Sequence, residues 1–179
     1  MGQLIVSAQM TADSVMDHME DWLDPELESE QDGVEQLRAA DALILGRKTY
    51  EGLAAYWPNQ EGTHAELVNP IPKYVASHTI KEPLTWNSQL LGTDPADEVA
   101  ALKEQHVGDL VSYGCGELAN YLARRGLVDK VTFWLHAVVW GDGVRAFHAG
   151  PLPVRLRLIS ATTYTSGVVK LSYQPLGAG

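Results

Sequence analysis

Apolar runs suited to strands alternate along this chain with segments of helical periodicity. The runs that predict strands cover residues 4–8, 42–45, 73–77, part of 84–91, 109–113, 130–139, 156–164 and 168–174. Helices are expected over residues 24–40, 47–57, 95–108 and 117–125. The last two strands are joined by Ser166-Gly167, which predicts a hairpin turn. This order favours an α/β fold in which helices cover both faces of a mostly parallel sheet that ends in an antiparallel hairpin.

Two of the predicted strands run into glycine turns that open helices. Gly46 follows the strand at 42–45, and Gly114-Cys115-Gly116 follows the strand at 109–113. The first turn of a helix has unpaired N–H groups and a partial positive charge, so each turn suits an anion such as phosphate. Both turns are expected at the carboxyl ends of their strands, where α/β sheets bind ligands.

Arg47 and Lys48 stand at the entry of the helix that Gly46 opens. A basic pair at that position opposes the helix dipole, so it is a poor choice for stability alone. A bound anion would explain the pair, and the structural alternative is a solvated basic surface. Asp94, by contrast, has the features of a simple N-cap, since Pro95 follows it at the first helical position.

The composition narrows the function classes. The 179 residues, 45% hydrophobic and 20% charged, suit a single domain covering residues 1–179. A net charge of −10 argues against a nucleic-acid or anionic-membrane surface. No apolar run reaches the ~18 residues that cross a bilayer, and the single cysteine and the N-terminus favour a cytoplasmic protein. The six histidines lack metal-ligand spacing, so no metal site is expected.

The segment GCGELA, residues 114–119, satisfies the pattern G-x-G-x-x-G/A of dinucleotide-binding folds. A Rossmann fingerprint follows an early strand, and an acidic residue answers it about 20 positions later at the end of the next strand. Here the segment lies two-thirds along the chain, and no carboxylate ends the next predicted strand before Asp142. The context therefore argues against a Rossmann dehydrogenase, which stays a third hypothesis beside a plain packing turn.

Four segments in a fixed order resemble the dihydrofolate-reductase-like superfamily. They are ADALILGRKTYEGLAAYWP, IPKYVASHT, DLVSYGCGELANYLARRGLVDKVTFW and AVVWGDGVRAF. Within that superfamily the chain is most similar to standalone proteins that resemble the C-terminal reductase domain of the bifunctional riboflavin-biosynthesis deaminase/reductase. The resemblance implies a three-layer α/β/α sandwich with a mixed sheet of about eight strands, NADPH lying across the two glycine turns, and a homodimer.

Carried over by position, the resemblance assigns cofactor binding to three segments. The residues implied are Gly46, Arg47, Lys48 and Thr49 for phosphate, Ser77 and His78 for the adenosine 2′-phosphate, and Gly114, Cys115, Gly116, Glu117 and Leu118 beneath the pyrophosphate. Cys115 stands where relatives usually carry serine. Its place near a helix N-terminus favours a lowered thiol pKa, although no base is readable nearby and a packed loop residue is expected.

The sequence gives weaker indications of the catalytic and substrate-binding residues. Asp13 matches the aspartate of an S-x-D-G turn in relatives, with Ser14 in place of the glycine, and Trp22 is a candidate pocket wall. Their structural alternatives are a turn aspartate and a core tryptophan. Dihydrofolate reductases carry a carboxylate five residues after a tryptophan, but that position is Leu27 here, which argues against folate. His136 is expected to be a satisfied core or cleft histidine.

These inferences predict an NADPH-dependent reductase that transfers a hydride to a pterin- or pyrimidine-like heterocycle. The activity it resembles is that of 5-amino-6-(5-phosphoribosylamino)uracil reductase. The expected partners are a small heterocyclic substrate and a second copy of the chain, with neither nucleic acid nor membrane. The alternative is a non-catalytic protein that binds NADPH or another ligand and keeps the fold without turnover.

Overall fold

The computed structural model describes residues 1–23, 27–146 and 154–176. The strands are β1 (Leu4–Thr11), β2 (Ala40–Gly46), β3 (Lys73–Ala76), β4 (Ser88–Leu90), β5 (Asp109–Tyr113), β6 (Lys130–His136), β7 (Arg155–Thr163) and β8 (Val169–Leu176). The α-helices are α1 (Met19–Trp22), α2 (Leu27–Ala39), α3 (Arg47–Tyr56), α4 (Thr63–Val68), α5 (Pro95–Gln105) and α6 (Glu117–Arg124), and a 3₁₀ turn covers Trp57–Asn59. None of the described helices is long and apolar enough to span a membrane.

The strands form one sheet in the order β4-β3-β2-β5-β1-β6-β8-β7. Every pairing from β4 across to β6 is parallel, whereas β8 pairs antiparallel with both β6 and β7. At the turn between β7 and β8, the Tyr164 N–H donates to the Val168 carbonyl at 3.0 Å, and Gly167 has a φ of 90°. The mixed sheet with a C-terminal antiparallel hairpin is therefore confirmed.

Side chains alternate between two cores because successive residues of a strand point to opposite faces. On one face, Leu4 and Val6 of β1 belong to a buried cluster with Val99 of α5 and Leu122 of α6. On the other face, the cluster contains β2 and β5 side chains with contributions from α2, α3 and α4, namely Leu37, Leu43, Leu45, Tyr50, Val68 and Val111. Helices thus cover both faces, as the three-layer prediction requires.

The structure adds two short helices, α1 and α4, to the predicted elements and shifts several element boundaries. The connection between α3 and β3 contains α4, because Ala65 and Val68 are buried at 2% and 1% exposure and give this segment an apolar face. β6 ends at His136 and not at residue 139, since the Val138 N–H turns back to the His136 carbonyl at 2.8 Å. The helix start expected at Asp24 lies outside the described residues, and α2 is described from Leu27.

Candidate functional site

The two glycine turns lie against each other at one edge of the sheet. β2 and β5 are parallel neighbours, so their carboxyl ends share that edge. A Cβ placed on Gly46 would lie 3.9 Å from the Leu118 Cβ, and one placed on Gly114 would lie 3.8 Å from the Thr49 Oγ1. Two segments nearly 70 residues apart in sequence therefore form one surface. The structure brings these predicted cofactor residues together.

Both helix entries at this edge are suited to an anion. Gly46 is the N-cap of α3 and Gly116 is the N-cap of α6, and a glycine has no side-chain oxygen to occupy the first N–H groups. The φ of 88° at Gly114 allows the tight turn that precedes α6. Glu117 is exposed in the first turn of α6, where its carboxylate interacts favourably with the helix dipole and competes with a phosphate.

Arg47 and Lys48 are both exposed in the first turn of α3. The Arg47 guanidinium forms an ion pair with Glu51 one turn later, with 3.1 Å between Nη1 and Oε2. That contact gives Arg47 a structural role in α3, worth little on an exposed helix surface. Lys48 has no ion-pair partner in the part of the chain that the structure describes. Its ammonium group is thus available at the helix entry.

Ser77 and His78 follow β3, whose last residue, Ala76, pairs with Gly46. The Ser77 hydroxyl oxygen accepts hydrogen bonds from the Thr79 N–H at 3.1 Å and the Ile80 N–H at 3.0 Å, so it stabilises the turn after the strand. His78 is exposed. Both residues lie beside the first glycine turn, which is where the resemblance places the 2′-phosphate.

Cys115 does not have the lowered pKa that its helix position suggested. Its side chain is buried at 7% exposure, and burial raises the thiol pKa to about 12. Desolvation disfavours the thiolate and outweighs the partial charge of the helix N-terminus. The prediction of a packed loop residue fits this environment.

Asp13 fastens the loop after β1 to the loop after β6. Its carboxylate accepts hydrogen bonds from the Thr11 hydroxyl at 2.7 Å, the Trp140 N–H at 3.0 Å and the Gly141 N–H at 2.9 Å. These three bonds hold the pKa of Asp13 well below its usual range, in that order of size. The carboxyl group is therefore ionised at neutral pH and suits a turn better than a proton donor.

A second aspartate joins the same two loops. The Asp17 carboxylate accepts a hydrogen bond from the Val144 N–H at 2.8 Å. Gly143 has a φ of 134°, and a Cβ at that position would lie 2.3 Å from the Asp17 carboxylate oxygen, so the loop requires glycine there. The loops flanking the ends of β1 and β6 are thus held at a fixed distance from each other.

Trp22 lies beside this joined pair of loops. Its side chain is buried at 6% exposure, and its indole N–H donates to the Asp17 carbonyl at 2.7 Å. The ring meets the imidazole of His136 edge-on, with 5.2 Å between the ring centroids. His136, in turn, lies with its Nε2 2.7 Å from the Gln9 Oε1. Trp22 therefore forms the outer wall of a Gln–His pair that the sequence analysis did not select.

This pair belongs to a polar row on one face of the sheet, defined here as Ser7, Gln9, Thr11, Thr132, His136 and Ser172. All members except Gln9 are buried, at 6% exposure or less. The row begins at the second glycine turn, because the Gly114 N–H donates to the Ser7 carbonyl at 2.9 Å. A sequence signal for it exists, since every second residue of β1 from Ser7 onward is polar.

Comparison with known proteins shows the family of the chain. The family model described as the RibD C-terminal domain matches residues 3–170. The uncharacterized protein YyaP of Bacillus subtilis (strain 168) is 30% identical over 142 residues, which are 76% of this chain and 75% of that protein.

Two solved structures show the same fold. A putative riboflavin biosynthesis protein from Shewanella sp. PV-4 has a TM-score of 0.77 at 18% identity, over 97% of this chain and 99% of that one. Dihydrofolate reductase from Enterococcus faecalis, complexed with NADP(H), has a TM-score of 0.64 at 14% identity, over 97% of this chain and 96% of that one. The fold is dihydrofolate-reductase-like. The glycine turn follows β5, in a strand order unlike that of a Rossmann sheet, so the Rossmann dehydrogenase hypothesis is wrong.

Proposed function

The chain belongs to the RibD C-terminal domain family, and from that premise we propose that it is an NADPH-dependent reductase of a pterin- or pyrimidine-like heterocycle. The observation that carries the proposal is the close approach of the two glycine turns, where a Cβ on Gly46 would meet Leu118 and one on Gly114 would meet Thr49. Two helix N-termini at one sheet edge offer two sets of N–H groups to the two phosphates of one dinucleotide.

The fit of the cofactor to these residues rests on three features. The glycines leave room for a pyrophosphate close to the backbone, which a Cβ would narrow. Lys48 and Arg47 supply positive charge in a chain whose net charge is −10, and Ser77 and His78 lie one strand away. NADPH, when bound, supplies the hydride. The chain's own contribution is to hold the dinucleotide and orient the acceptor beside the polar row.

Within this proposal, the substrate binds over the polar row, beyond the end of the second glycine turn. Trp22 would wall that site, and Asp13 would set its shape by joining the two loops, so both act on the substrate by position. The activity resembled is that of 5-amino-6-(5-phosphoribosylamino)uracil reductase. A cytoplasmic location and a homodimer belong to the same proposal; the latter is supported by the exposed apolar side chains of β7, Leu158 at 53% and Ile159 at 56%.

A non-catalytic binding protein is the second candidate, and one observation favours it. The Asp13 carboxylate is ionised and fully engaged by loop hydrogen bonds, so it has no proton to give. Such a protein would bind NADPH without consuming it. Steady oxidation of NADPH in the presence of any heterocycle of a broad pterin and pyrimidine panel would reject this candidate.

The cofactor assignment is tested by titrating the protein with NADPH and NADH while nucleotide fluorescence and thermal stability are recorded. We expect NADPH to bind. The Arg47→Ala/Lys48→Ala double variant should lose about tenfold or more in NADPH affinity, because charge-assisted contacts to phosphate are strong. The loss for NADH should be smaller, because both cations follow Gly46, whose partner Ala76 precedes the proposed 2′-phosphate residues Ser77 and His78. Arg124→Ala is the matched control, since Arg124 is an exposed cation at the far end of α6. An equal loss for both nucleotides would remove the link to the 2′-phosphate, and no binding at millimolar NADPH would overturn the assignment.

A further inference from the structure

Gln9 and His136 lie on neighbouring strands, 127 residues apart in sequence, with 2.7 Å between Oε1 and Nε2. The positions on either side of Gln9 in β1 are Ala8 and Met10, both buried in the opposite core. His136 is 5% exposed, whereas Gln9 is the one member of the polar row that is partly exposed. Gln9 is therefore the member of the row that a ligand can reach, and the imidazole of His136 lies behind it.

The imidazole is fixed from its other side as well. Trp22 packs edge-on against it at 5.2 Å, and the Trp22 indole is itself tied to the Asp17 carbonyl. In the sheet register His136 pairs with Thr11, which has 0% exposure. Packing on several sides restricts the rotation of the His136 ring. The hydrogen bond from this ring therefore fixes the orientation of the Gln9 carboxamide.

That orientation decides what Gln9 offers to a ligand. Because its Oε1 accepts from the His136 Nε2, its Nε2 carries two N–H donors, and these have no partner among the described residues. The amide is thus presented as a donor whose rotation is already restricted. A pre-oriented donor is matched by an acceptor, such as the carbonyl oxygen of a heterocyclic ring.

Two of the described carboxylates near the row, Asp13 and Asp32, already have partners. Asp13 is occupied by the loop N–H groups. On α2, the Asp32 carboxylate accepts from Lys170, with 2.7 Å between Nζ and Oδ2, and from the Tyr164 hydroxyl. Neither carboxylate is left to pair with the amino-substituted, protonated ring of a diaminopyrimidine. The buried hydroxyl groups and the amide of the row favour a neutral ring over a cationic one.

We propose that Gln9 is the specificity-determining residue of this site and that His136 is its positioning residue, so that the pair selects heterocycles presenting a ring carbonyl over analogues presenting an amino group there. This inference rests on the proposed function for the location of the substrate. Gln9 of β1 and His136 of β6 would thus distinguish a hydrogen-bond acceptor from a donor on the ring of the heterocyclic substrate.

The test compares two matched probes, 5,6-diaminouracil and 2,4,5,6-tetraaminopyrimidine, which differ in the replacement of two ring carbonyls by amino groups. Their dissociation constants are measured by calorimetry on the full chain with and without NADPH. The wild type is expected to prefer the uracil by about tenfold or more, because a site built for one hydrogen-bond pattern rejects the other. Gln9→Leu should bring the ratio close to one, and Gln9→Glu, which only accepts, should invert it.

His136→Leu should also reduce the ratio, and His136→Gln, which restores an N–H donor to Gln9, should recover it. A merely structural histidine would change stability without changing the ratio, and thermal unfolding of each variant separates the two effects. An unchanged ratio in folded Gln9→Leu and Gln9→Glu overturns the inference, as does a wild type that binds neither probe. Binding of the uracil without binding of NADPH would overturn the cofactor proposal alone, whereas NADPH binding with an unchanged ratio would overturn this inference alone.

Discussion

Lys73 shows how a single residue can carry a cost that only its surroundings reveal. It has 0% exposure in β3, its ammonium group donates to the Asn69 carbonyl at 2.7 Å, and it lies 4.1 Å from the centroid of the Trp86 ring. The structure shows no carboxylate partner for it among the described residues. Burial without a counter-charge lowers the pKa of Lys73 from 10.5 to about 8.

The lowered pKa predicts a pH dependence of stability. Between pH 8 and pH 10.5 the Lys73 amine binds its proton more tightly in the unfolded chain than in the folded chain. The contribution of Lys73 to the free energy of unfolding therefore increases as pH rises through that range. Relative to Lys73→Met, the wild type should gain on the order of 1–2 kcal/mol across the window, a value reduced for solvent screening. Urea unfolding at several pH values measures the difference. Lys81→Met, at an exposed position, is the control, and a wild type that parallels Lys73→Met would contradict the prediction.

Gln9 and Cys115 mark the limit of residue-scale prediction. The pattern of β1 contained the polar positions, but the partner of Gln9 is 127 residues away and only the sheet register brings it close. For Cys115 the local rule of a helix N-terminus gave the wrong direction, because the thiol pKa depends on the apolar side chains that enclose it. Hydrogen bonds between residues close in sequence can be predicted from the sequence, whereas the desolvation of a side chain depends on tertiary packing.

At the scale of elements, α5 and α6 are joined by a cap that also makes a tertiary contact. The Asp94 carboxylate oxygen Oδ1 accepts from the Ala96 N–H at 2.9 Å, as the sequence predicted, and from the Tyr121 hydroxyl of α6 at 2.7 Å. Both hydrogen bonds favour the ionised form and lower the pKa of Asp94, the Tyr121 bond being the larger cause. One side chain thus begins a helix and fixes its neighbour.

Removal of this cap should destabilise the protein. Asp94→Ala is expected to lower the melting temperature by about 2–4 °C, since an N-cap hydrogen bond and an interhelical hydrogen bond are both lost. Asp94→Ser keeps an oxygen for the Ala96 N–H and should recover part of the loss. Asp97→Ala, an exposed acidic position in the same helical turn, should change it less. Differential scanning calorimetry of the three variants measures the order, and equal effects of Asp94→Ala and Asp97→Ala would contradict the capping role.

The elements themselves were largely predictable, and the exceptions have physical reasons. Strong periodicity and glycine or proline punctuation located the strands of the sheet and helices α3, α5 and α6. α4 was missed because its six residues lie between polar and proline-rich segments, and its two buried positions are recognised only against α2. A helix this short draws its stability from packing and not from propensity.

At the scale of the whole molecule, β7 is an edge strand of the sheet. It pairs only with β8 among the described strands, and most of its residues are exposed, including Leu158 and Ile159. A groove of about 340 Å³ reaches this strand at Leu156, and its other apolar lining residues include Met10 and Leu171. An exposed apolar edge strand invites pairing with another chain.

The homodimer is tested at this edge. Light scattering after size-exclusion chromatography should give twice the 19.6 kDa chain mass for the wild type and the monomer mass for Leu158→Lys, since a buried lysine without a partner opposes association. Val107→Lys is the matched control, because Val107 is 89% exposed outside this edge. A wild type that stays monomeric at micromolar concentration would contradict the dimer, and equal dissociation by both variants would contradict the interface.

The sequence by itself determined the order of the strands and of helices α3, α5 and α6, the two glycine turns with Arg47 and Lys48, and, through the resemblance, the fold. These features depend on neighbouring residues, on periodicity and on backbone freedom at glycine, all of which are determined by residues close in sequence. The tertiary structure decided that the two turns approach each other, that the Asp13 carboxylate accepts hydrogen bonds from a loop, and that Gln9 is hydrogen-bonded to His136. The approach of the two turns depends on the parallel pairing of β2 with β5. The hydrogen bond between Gln9 and His136 depends on the parallel register of β1 with β6, which brings together residues 127 positions apart.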